Sequence, residues 1–582
     1  MKEKIKKHRK VKLNVEIRTL FDVKIPMRDK TKLSADIYLP KKEDSYPTIL
    51  IRTPYNKALA DETKHGTRDV EFFTRNGFVV VLQDVRGRGD SNGEWIPMFN
   101  EGLDGYDTVE WIAKQDWCNG KVAMMGGSYR GWVQWAAARE IPPHLTTMVS
   151  TAAAGYFMQE LPFINGMITM GMIQWLHLVG GRSVQNPKSV NWEKVMWHLP
   201  LKSMDEVVGR MSTVWKKWIS HPSLDDFWQK ILLTTEDFRK INLPVLHITG
   251  WYDDDQPGAM YFYKGMVKYY SAKDKQFLIS GPWEHGGTRI PKQHLGGLDF
   301  GPEAVINLLN LHLWWFEYYL KGDKESWKKF LEFFNYKKVY TFTMGENKWV
   351  TRNSWPPSES YTVPWYLHSN GKANTLLGDG KLSQEEPLEE TVDCYAYDPR
   401  DPVVSTIDFN LYAPSAETPL DMRFIERRDD VLVFTSELLK DDLELAGTPR
   451  MLLYASSDCL DTDWIVLLSD VYPDGKSINL NKGGIRARYR NSLERPELLE
   501  KGKIYKYEFK LIFATSHIFK AGHRIRLLVT SSLFPEFNRN LNTGGPIDEE
   551  VDIKVAHNKV YHSRKYLSSL LLPMVQRKGD FK

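Results

Sequence analysis

Ser128 lies in the tract Lys121-Val-Ala-Met-Met-Gly-Gly-Ser-Tyr-Arg-Gly131, where a short apolar strand runs into a glycine-flanked serine and then into a helical stretch, Trp132-Val-Gln-Trp-Ala-Ala-Ala138. The layout suits covalent catalysis, because a serine on a sharp strand-to-helix turn projects its hydroxyl from the sheet edge. Gly126 and Gly131 stand where a Cβ would meet the neighbouring strand or helix. The second glycine comes one residue later than in the usual pattern, with Arg130 in its place, so the string alone also fits an ordinary strand-to-helix turn.

A serine nucleophile needs a base and a group to orient that base. In hydrolases built on parallel sheets these follow in the order Ser, Asp or Glu, His, each just past the carboxyl end of a strand. Two later strands end as that order requires: Pro244-Val-Leu-His-Ile-Thr-Gly250 runs into Trp251-Tyr-Asp-Asp-Asp255, and Gln276-Phe-Leu-Ile-Ser280 into Gly281-Pro-Trp-Glu-His285. Asp253 is expected to hold the imidazole tautomer, and His285 to take the proton of Ser128 and return it to the leaving group. His247, inside a strand, reads as a core histidine. The acidic run Asp253 to Asp255 with His285 offers a metal alternative, but no second ligand pair accompanies it, so neither metal nor cofactor is expected. Asp458, Asp461 and Asp463 lack the glycine and terminal glutamate of a calcium loop and read as a solvated turn. Arg86-Gly-Arg-Gly-Asp-Ser-Asn-Gly93 has the wrong glycine spacing for a phosphate loop.

The elements that must position these residues follow from periodicity. Near-continuous apolar strands at 46–52, 78–84, 121–125 and 147–150, with a helix over 102–114 among them, imply a parallel sheet covered on both faces. Between about 151 and 240 the strand signal gives way to helical, tryptophan-rich segments, which reads as a cap inserted into the sheet domain. A helix is expected from Pro302 to Leu320. Beyond it, alternating strands are separated by turn signals such as Asp474-Gly475, Ser369-Asn-Gly371 and Lys482-Gly-Gly484. The division is therefore 1–150 and 241–350 for an α/β-hydrolase domain, 151–240 for the helical cap, and 351–582 for a C-terminal β-sandwich of jelly-roll type.

At 582 residues the chain exceeds what one core supports. Its net charge of +4 gives no electrostatic case for nucleic acid, and the basic run Lys2 to Lys12 reads as a tail. Cys118, Cys394 and Cys459 are too scattered for disulfides or a thiolate zinc site and read as small core residues. No apolar run is long enough for a membrane span and no signal-peptide core is present, so the expectation is a soluble, cytoplasmic protein without a membrane partner. The 20 tryptophans fit either aromatic-lined pockets or tryptophan-rich cores.

Several blocks together resemble a known family. Gly126-Gly-Ser-Tyr-Arg-Gly131, Gly250-Trp-Tyr-Asp253 and Gly281-Pro-Trp-Glu-His285 are similar to signature blocks of the cocaine-esterase and X-prolyl dipeptidyl-peptidase (CocE/NonD) family, which includes α-amino-acid ester hydrolases and glutaryl-cephalosporin acylases. Arg52-Thr-Pro-Tyr-Asn-Lys57, Asp84-Val-Arg-Gly-Arg-Gly-Asp-Ser91, Tyr397-Asp-Pro-Arg-Asp-Pro402 and Asp429-Asp-Val-Leu-Val-Phe-Thr-Ser436 extend the likeness along nearly the whole chain. The resemblance implies a hydrolase domain, a helical cap and a jelly roll, and an oxyanion hole made by the Tyr129 N–H and the Tyr55 phenol. It implies a serine hydrolase of esters or amides with a small-molecule substrate; the alternatives are an X-Pro dipeptidyl-peptidase and a carbohydrate-binding or scaffolding protein with a vestigial site. The ester-hydrolase branch holds a substrate ammonium with carboxylates near the triad. Here Asp255 and Glu160 match such positions while Gln256 replaces a carboxylate, and Trp175 of the cap joins them as a pocket residue. The oligomeric state is left open, a homo-oligomer included.

Overall fold

The computed structural model describes residues 17–58, 66–269, 273–405, 408–410 and 419–576, so the basic run Lys2 to Lys12 lies outside the described residues. Ten strands form the first sheet: β1 (Ile17–Pro26), β2 (Lys32–Pro40), β3 (Tyr46–Thr53), β4 (Val79–Asp84), β5 (Cys118–Gly127), β6 (Leu145–Thr151), β7 (Val245–Tyr252), β8 (Gln276–Glu284), β9 (Val339–Thr343) and β10 (Lys348–Arg352). Their spatial order is β1-β2-β4-β3-β5-β6-β7-β8-β9-β10. The central strands from β4 to β9 are parallel, and their uninterrupted apolar sequences follow from burial on both faces. The sheet as a whole is mixed, because β1, β2 and β10 add antiparallel edges. The outermost strands β1 and β10 are half-exposed, which leaves a weaker sequence signal than the buried runs.

Helices α1 (Gly66–Arg75), α2 (Glu101–Ala113) and α3 (Tyr129–Arg139) connect the first parallel strands. The cap interrupts the sheet between β6 and β7. It opens with a two-residue-per-strand hairpin, Phe163–Ile164 with Met167–Ile168, and continues through α4 (Gly171–Leu178) and further short helices to Lys240. Trp215, Trp218 and Trp228 are fully buried in it, so much of the tryptophan content builds core. The helix expected over 302–320 is broken: a 3-10 turn at Pro302–Ala304 precedes an α-helix at Leu308–Phe316, which widens into a π-helical turn at Glu317–Lys321. Asn307 caps the α segment by accepting the Asn310 N–H, which restarts the helix there.

The C-terminal part is a thirteen-stranded assembly between Ser360 and Val575, antiparallel except where Lys381–Ser383 runs parallel to Leu432–Ser436, and closed around apolar residues such as Leu367, Leu453, Trp464 and Leu527. Three expectations are corrected here. Lys482-Gly-Gly484 lies inside the strand Ser477–Arg486 rather than at a turn, because Gly483 and Gly484 give close approach to Leu511 and to the Trp464 backbone. Asp461 and Asp463 are fully buried, not solvated, and neutralise Arg488 and Arg486 across 2.7 and 2.9 Å. Cys394 is exposed, on the outward face of an alternating strand, whereas Cys118 and Cys459 are buried.

A second buried network gives a pH-dependent test of the jelly roll. His562, with its side chain out of solvent, reaches Asp393 at 2.8 Å and Glu390 at 3.0 Å. Burial works to lower its pKa, but hydrogen bonds and charge from Asp393 and Glu390 outweigh that and raise it. A raised folded-state value means stability that is fully present below the unfolded value of about 6.5 and is lost as pH climbs through the folded one. Unfolding free energies from denaturant titrations of the protein and of His562→Gln should therefore differ by about 1.5–3 kcal/mol near pH 6 and converge toward pH 9. A gap that stays constant with pH would show that the imidazolium charge contributes nothing.

Candidate active site

The candidate residues stand past the carboxyl ends of four parallel strands at the centre of the sheet: Tyr55 after β3, Ser128 after β5 and, beyond the intervening β6, Asp253 after β7 and His285 after β8. Ser128 has φ 65° and ψ −131°, a strained conformation for a non-glycine residue that presents its side chain at the top of the sheet. The turn is held by the Ser128 N–H, which donates to the Ala152 carbonyl at 2.8 Å, and by the Ser128 carbonyl, which accepts from Gly131 and Trp132. Gly126 has φ +143°, and a Cβ there would come 2.6 Å from Arg130 Cβ; a Cβ at Gly131 would meet Ala153 Cα at 2.7 Å. The glycine displaced by one residue serves the close approach of α3 to the segment after β6.

Asp253 is fully buried. Its Oδ1 lies 2.8 Å from His285 Nδ1 and accepts the Asp255 N–H at 3.2 Å, while Oδ2 accepts the Thr249 hydroxyl at 2.8 Å. A carboxylate held this way fixes Nδ1 as the protonated nitrogen and leaves Nε2 to act as base. Ser128 and His285 line one cavity of about 350 Å³ together with Tyr55, Met98, Trp175, Asp254 and Asp255. The metal alternative has little to hold an ion: in the only grouping of possible ligands among the described residues, Asp253, Asp254 and His285, the histidine offers the Nδ1 already bonded to Asp253. His247 is buried, bonded through Nε2 to Gln276 at 3.0 Å, and driven down to about 4 by burial.

The two residues that only the resemblance suggested are set around Ser128. The Tyr55 phenol interacts with the Ser128 side chain and accepts the Trp175 indole N–H at 3.3 Å, and burial raises its pKa, so it remains a neutral donor. Trp175 thus lines the cavity and also orients Tyr55. At Tyr129 only the main chain is available. Its N–H is the first of α3 and has no acceptor within the helix. Its hydroxyl donates to Glu101 at 2.7 Å and accepts from the Met98 N–H at 2.9 Å.

Several positioning residues were not legible as such. Arg88 donates to the Pro54 carbonyl and to Val179 at the end of α4, each at 2.6 Å, tying the Tyr55 loop to the cap. Asp84 accepts the N–H groups of Lys57 at 2.6 Å and Asp90 at 3.1 Å, joining the same loop to the segment after β4. The blocks at 52–57 and 84–91 therefore clamp the loop that carries Tyr55. Arg52 and Glu101, both buried, pair at 3.0 Å beneath Tyr129.

The acidic wall is real but arranged differently from the sequence expectation. Asp254 and Asp255 line the Ser128 cavity and lie 3.3 and 3.7 Å from His285 Nδ1. Glu160 is buried and accepts N–H bonds from Gly155, Tyr156 and Gly258 at 2.8, 2.7 and 3.2 Å. Burial, first of all, pushes both Glu160 and Asp255 above the ordinary carboxylate range, and their mutual repulsion adds to the shift of Asp255. Gln256 turns away from this cluster and clasps the Ala514 backbone through both of its amide atoms, so it joins the catalytic strand end to the C-terminal domain. Glu160, Asp254 and Asp255 also border a second cavity, of about 170 Å³, whose other walls come from the cap and from C-terminal residues such as Met422, Asn479 and Phe513.

Comparison with known proteins bears directly on this geometry. Residues 29–287 match the X-Pro dipeptidyl-peptidase (S15 family) model, and 332–571 match the X-Pro dipeptidyl-peptidase C-terminal non-catalytic domain. A cocaine esterase of Rhodococcus sp. (strain MB1 Bresler) is 33% identical over 96% of this chain and 98% of its own. Among solved structures, an aminopeptidase from a marine-sediment Thaumarchaeota archaeon superposes with TM-score 0.85 at 26% identity, covering 98% of both chains. An α-amino-acid ester hydrolase superposes with TM-score 0.83 at 27% identity, covering 96% of this chain and 97% of that one. The chain belongs to the S15 family of X-Pro dipeptidyl-peptidases and cocaine esterases, and it is a serine hydrolase of the α/β-hydrolase fold.

Proposed function

We propose that the protein hydrolyses esters or amides of small acyl groups carrying a free amine, through an acyl-enzyme on Ser128. The observation that carries this reading is the common wall: Asp254 and Asp255 border the cavity that holds Ser128 and His285, and Glu160 stands with them at the adjoining chamber. Ser128 attacks the acyl carbon as His285 Nε2 takes its proton; the oxyanion forms against the Tyr55 hydroxyl and the Tyr129 N–H; the proton then passes from Nε2 to the departing oxygen or nitrogen. Water repeats the sequence in reverse to free the acid. The family names of its relatives, an esterase, an ester hydrolase and an aminopeptidase, fit one chemistry with different leaving groups.

Because burial raises Glu160 to about 8, it carries a proton over the neutral range, and an arriving ammonium favours its ionised form. The KM for an α-amino ester should fall as pH rises from about 5 toward 7.5, above which the substrate loses its own proton. The KM of the des-amino analogue should not follow. At pH 7 the α-amino ester should be preferred by about tenfold or more in kcat/KM, with the preference lost in Asp255→Asn, since a desolvated charge pair exceeds the ~0–1 kcal/mol of an exposed one. Equal kcat/KM for the two esters would leave a neutral-acyl esterase instead. An X-Pro amide in the same panel separates the dipeptidyl-peptidase alternative.

A further inference from the structure

The imidazole of His285 separates two electrostatically opposite walls. On the Nδ1 side stand Asp253, Asp254 and Asp255. On the Nε2 side stands Arg289, whose Nη2 lies 3.2 Å from Nε2 and whose Nη1 donates to the His285 carbonyl at 2.6 Å. Arg130, two residues beyond the nucleophile, lines the same cavity. Both guanidiniums also border a smaller cavity of about 50 Å³ behind the nucleophile turn, with Asp69, Thr288 and His312.

This pair is short of anions. Among the described residues neither arginine has an ion-pair partner within 4.0 Å, and the Nε of each is buried without a hydrogen-bond partner. Asp69 and Asp255 act on them only from a distance. Burial lowers the pKa of Arg130, and the charge of Arg289 lowers it further. The Arg289 guanidinium is packed so close to the turn that a Cβ on Gly127 would meet its Nε at 2.5 Å. Two uncompensated, partly desolvated guanidiniums beside a nucleophile are costly unless an anion completes the arrangement.

We propose that Arg289 and Arg130 form an anion subsite on the leaving-group side, so that preferred substrates carry a carboxylate on the alcohol or amine that departs. The side is fixed by the proton path: Nε2 delivers its proton to the leaving group, so what lies beside Nε2 lies beside that group. The inference rests on the Ser128 acyl-enzyme reading but not on recognition of an ammonium. It also gives Arg289 a second consequence. In the free protein its Nη2 occupies the Nε2 lone pair that must accept the Ser128 proton, and a carboxylate, which makes stronger charge-assisted bonds to a guanidinium, draws it away. In the acylation step the Ser128 Oγ–acyl bond forms, the acyl–leaving-group bond breaks, and the Ser128 proton reaches the leaving atom through Nε2, while Arg289 transfers only hydrogen bonds.

The test uses phenyl and 3-carboxyphenyl esters of one acyl group, because a meta carboxylate barely alters the leaving ability of phenol. The carboxyphenyl ester should be favoured by about tenfold or more in kcat/KM, with the ratio falling toward one in Arg289→Met and partly in Arg130→Met. A second measurement is independent of the acyl group: benzoate should protect Ser128 from a fluorophosphonate more strongly than benzamide does in the unmodified protein. Equal turnover of the two esters, or equal protection by the two aromatic ligands, overturns the subsite and leaves the serine hydrolase intact. Absence of labelling at Ser128 would instead strike the acyl-enzyme reading on which the proposal stands.

Discussion

Ser128→Ala and His285→Ala should each lower kcat by on the order of 10⁴–10⁶, and the double variant should be scarcely slower than either single one. The serine attacks only as its proton leaves, and that proton has only one prepared destination, an imidazole whose Nδ1 is held 2.8 Å from the buried Asp253. Once either half of this relay is gone the other has nothing to act on, so the losses do not add. The residual rate reflects the oxyanion donors and substrate binding, which neither substitution touches. Thermal unfolding of Ser128→Ala should stay near that of the parent, since Ser128 is partly exposed and uncharged, whereas His285→Ala takes the partner from the fully buried Asp253 and should unfold at a lower temperature, though still folded at the assay temperature. A double variant several hundred times slower than the singles would show that the two residues work in separate steps.

Tyr55→Phe carries the second large effect. The ring remains packed beside Trp175, and only the hydroxyl at Ser128 disappears, so kcat should fall by about 10²–10³, equivalent to roughly 2.7–4 kcal/mol, with KM nearly unchanged. The reason is that a preorganised donor meets charge only as the tetrahedral intermediate forms. Burial keeps the phenol neutral and able to donate across the working pH range. The clamp around it adds a graded check: Arg88→Lys, which cannot span the Pro54 and Val179 carbonyls with one planar fork, should lower kcat by a smaller factor while leaving the Tyr55 hydroxyl in place. A raised KM with unaltered kcat in Tyr55→Phe would move this residue from the oxyanion hole to substrate binding.

The candidate triad positions could be read from strands because Ser128, Asp253 and His285 each follow a buried, nearly unbroken apolar run, and such runs are unambiguous when both faces of a sheet are covered. Edge strands such as Ile17–Pro26 were silent, since one exposed face dilutes the apolar pattern and its register breaks between Leu20 and Val23. Tyr55 could be placed only through resemblance, because a loop tyrosine has no local signature of its role; Arg88 and Asp84, which fix it, act through contacts with Pro54 and Lys57 more than 25 residues away. Arg289 was missed for a different reason. It sits four residues beyond His285 in a tight turn, where no periodicity reports direction, and only the folded backbone turns its guanidinium onto Nε2. Asp461 and Asp463 show the converse error, since acidic spacing resembling a turn hides arginines that arrive from the end of the following strand and the 3-10 turn after it.

The central claim, that Ser128 is a nucleophile activated by His285, is tested most directly by labelling the folded protein with a fluorophosphonate and following it by intact mass and peptide mapping. The account predicts a single adduct per chain on the peptide containing Ser128, absent in Ser128→Ala and formed far more slowly in His285→Ala. A folded protein that takes no adduct, or one modified at another serine at an undiminished rate in Ser128→Ala, would contradict it.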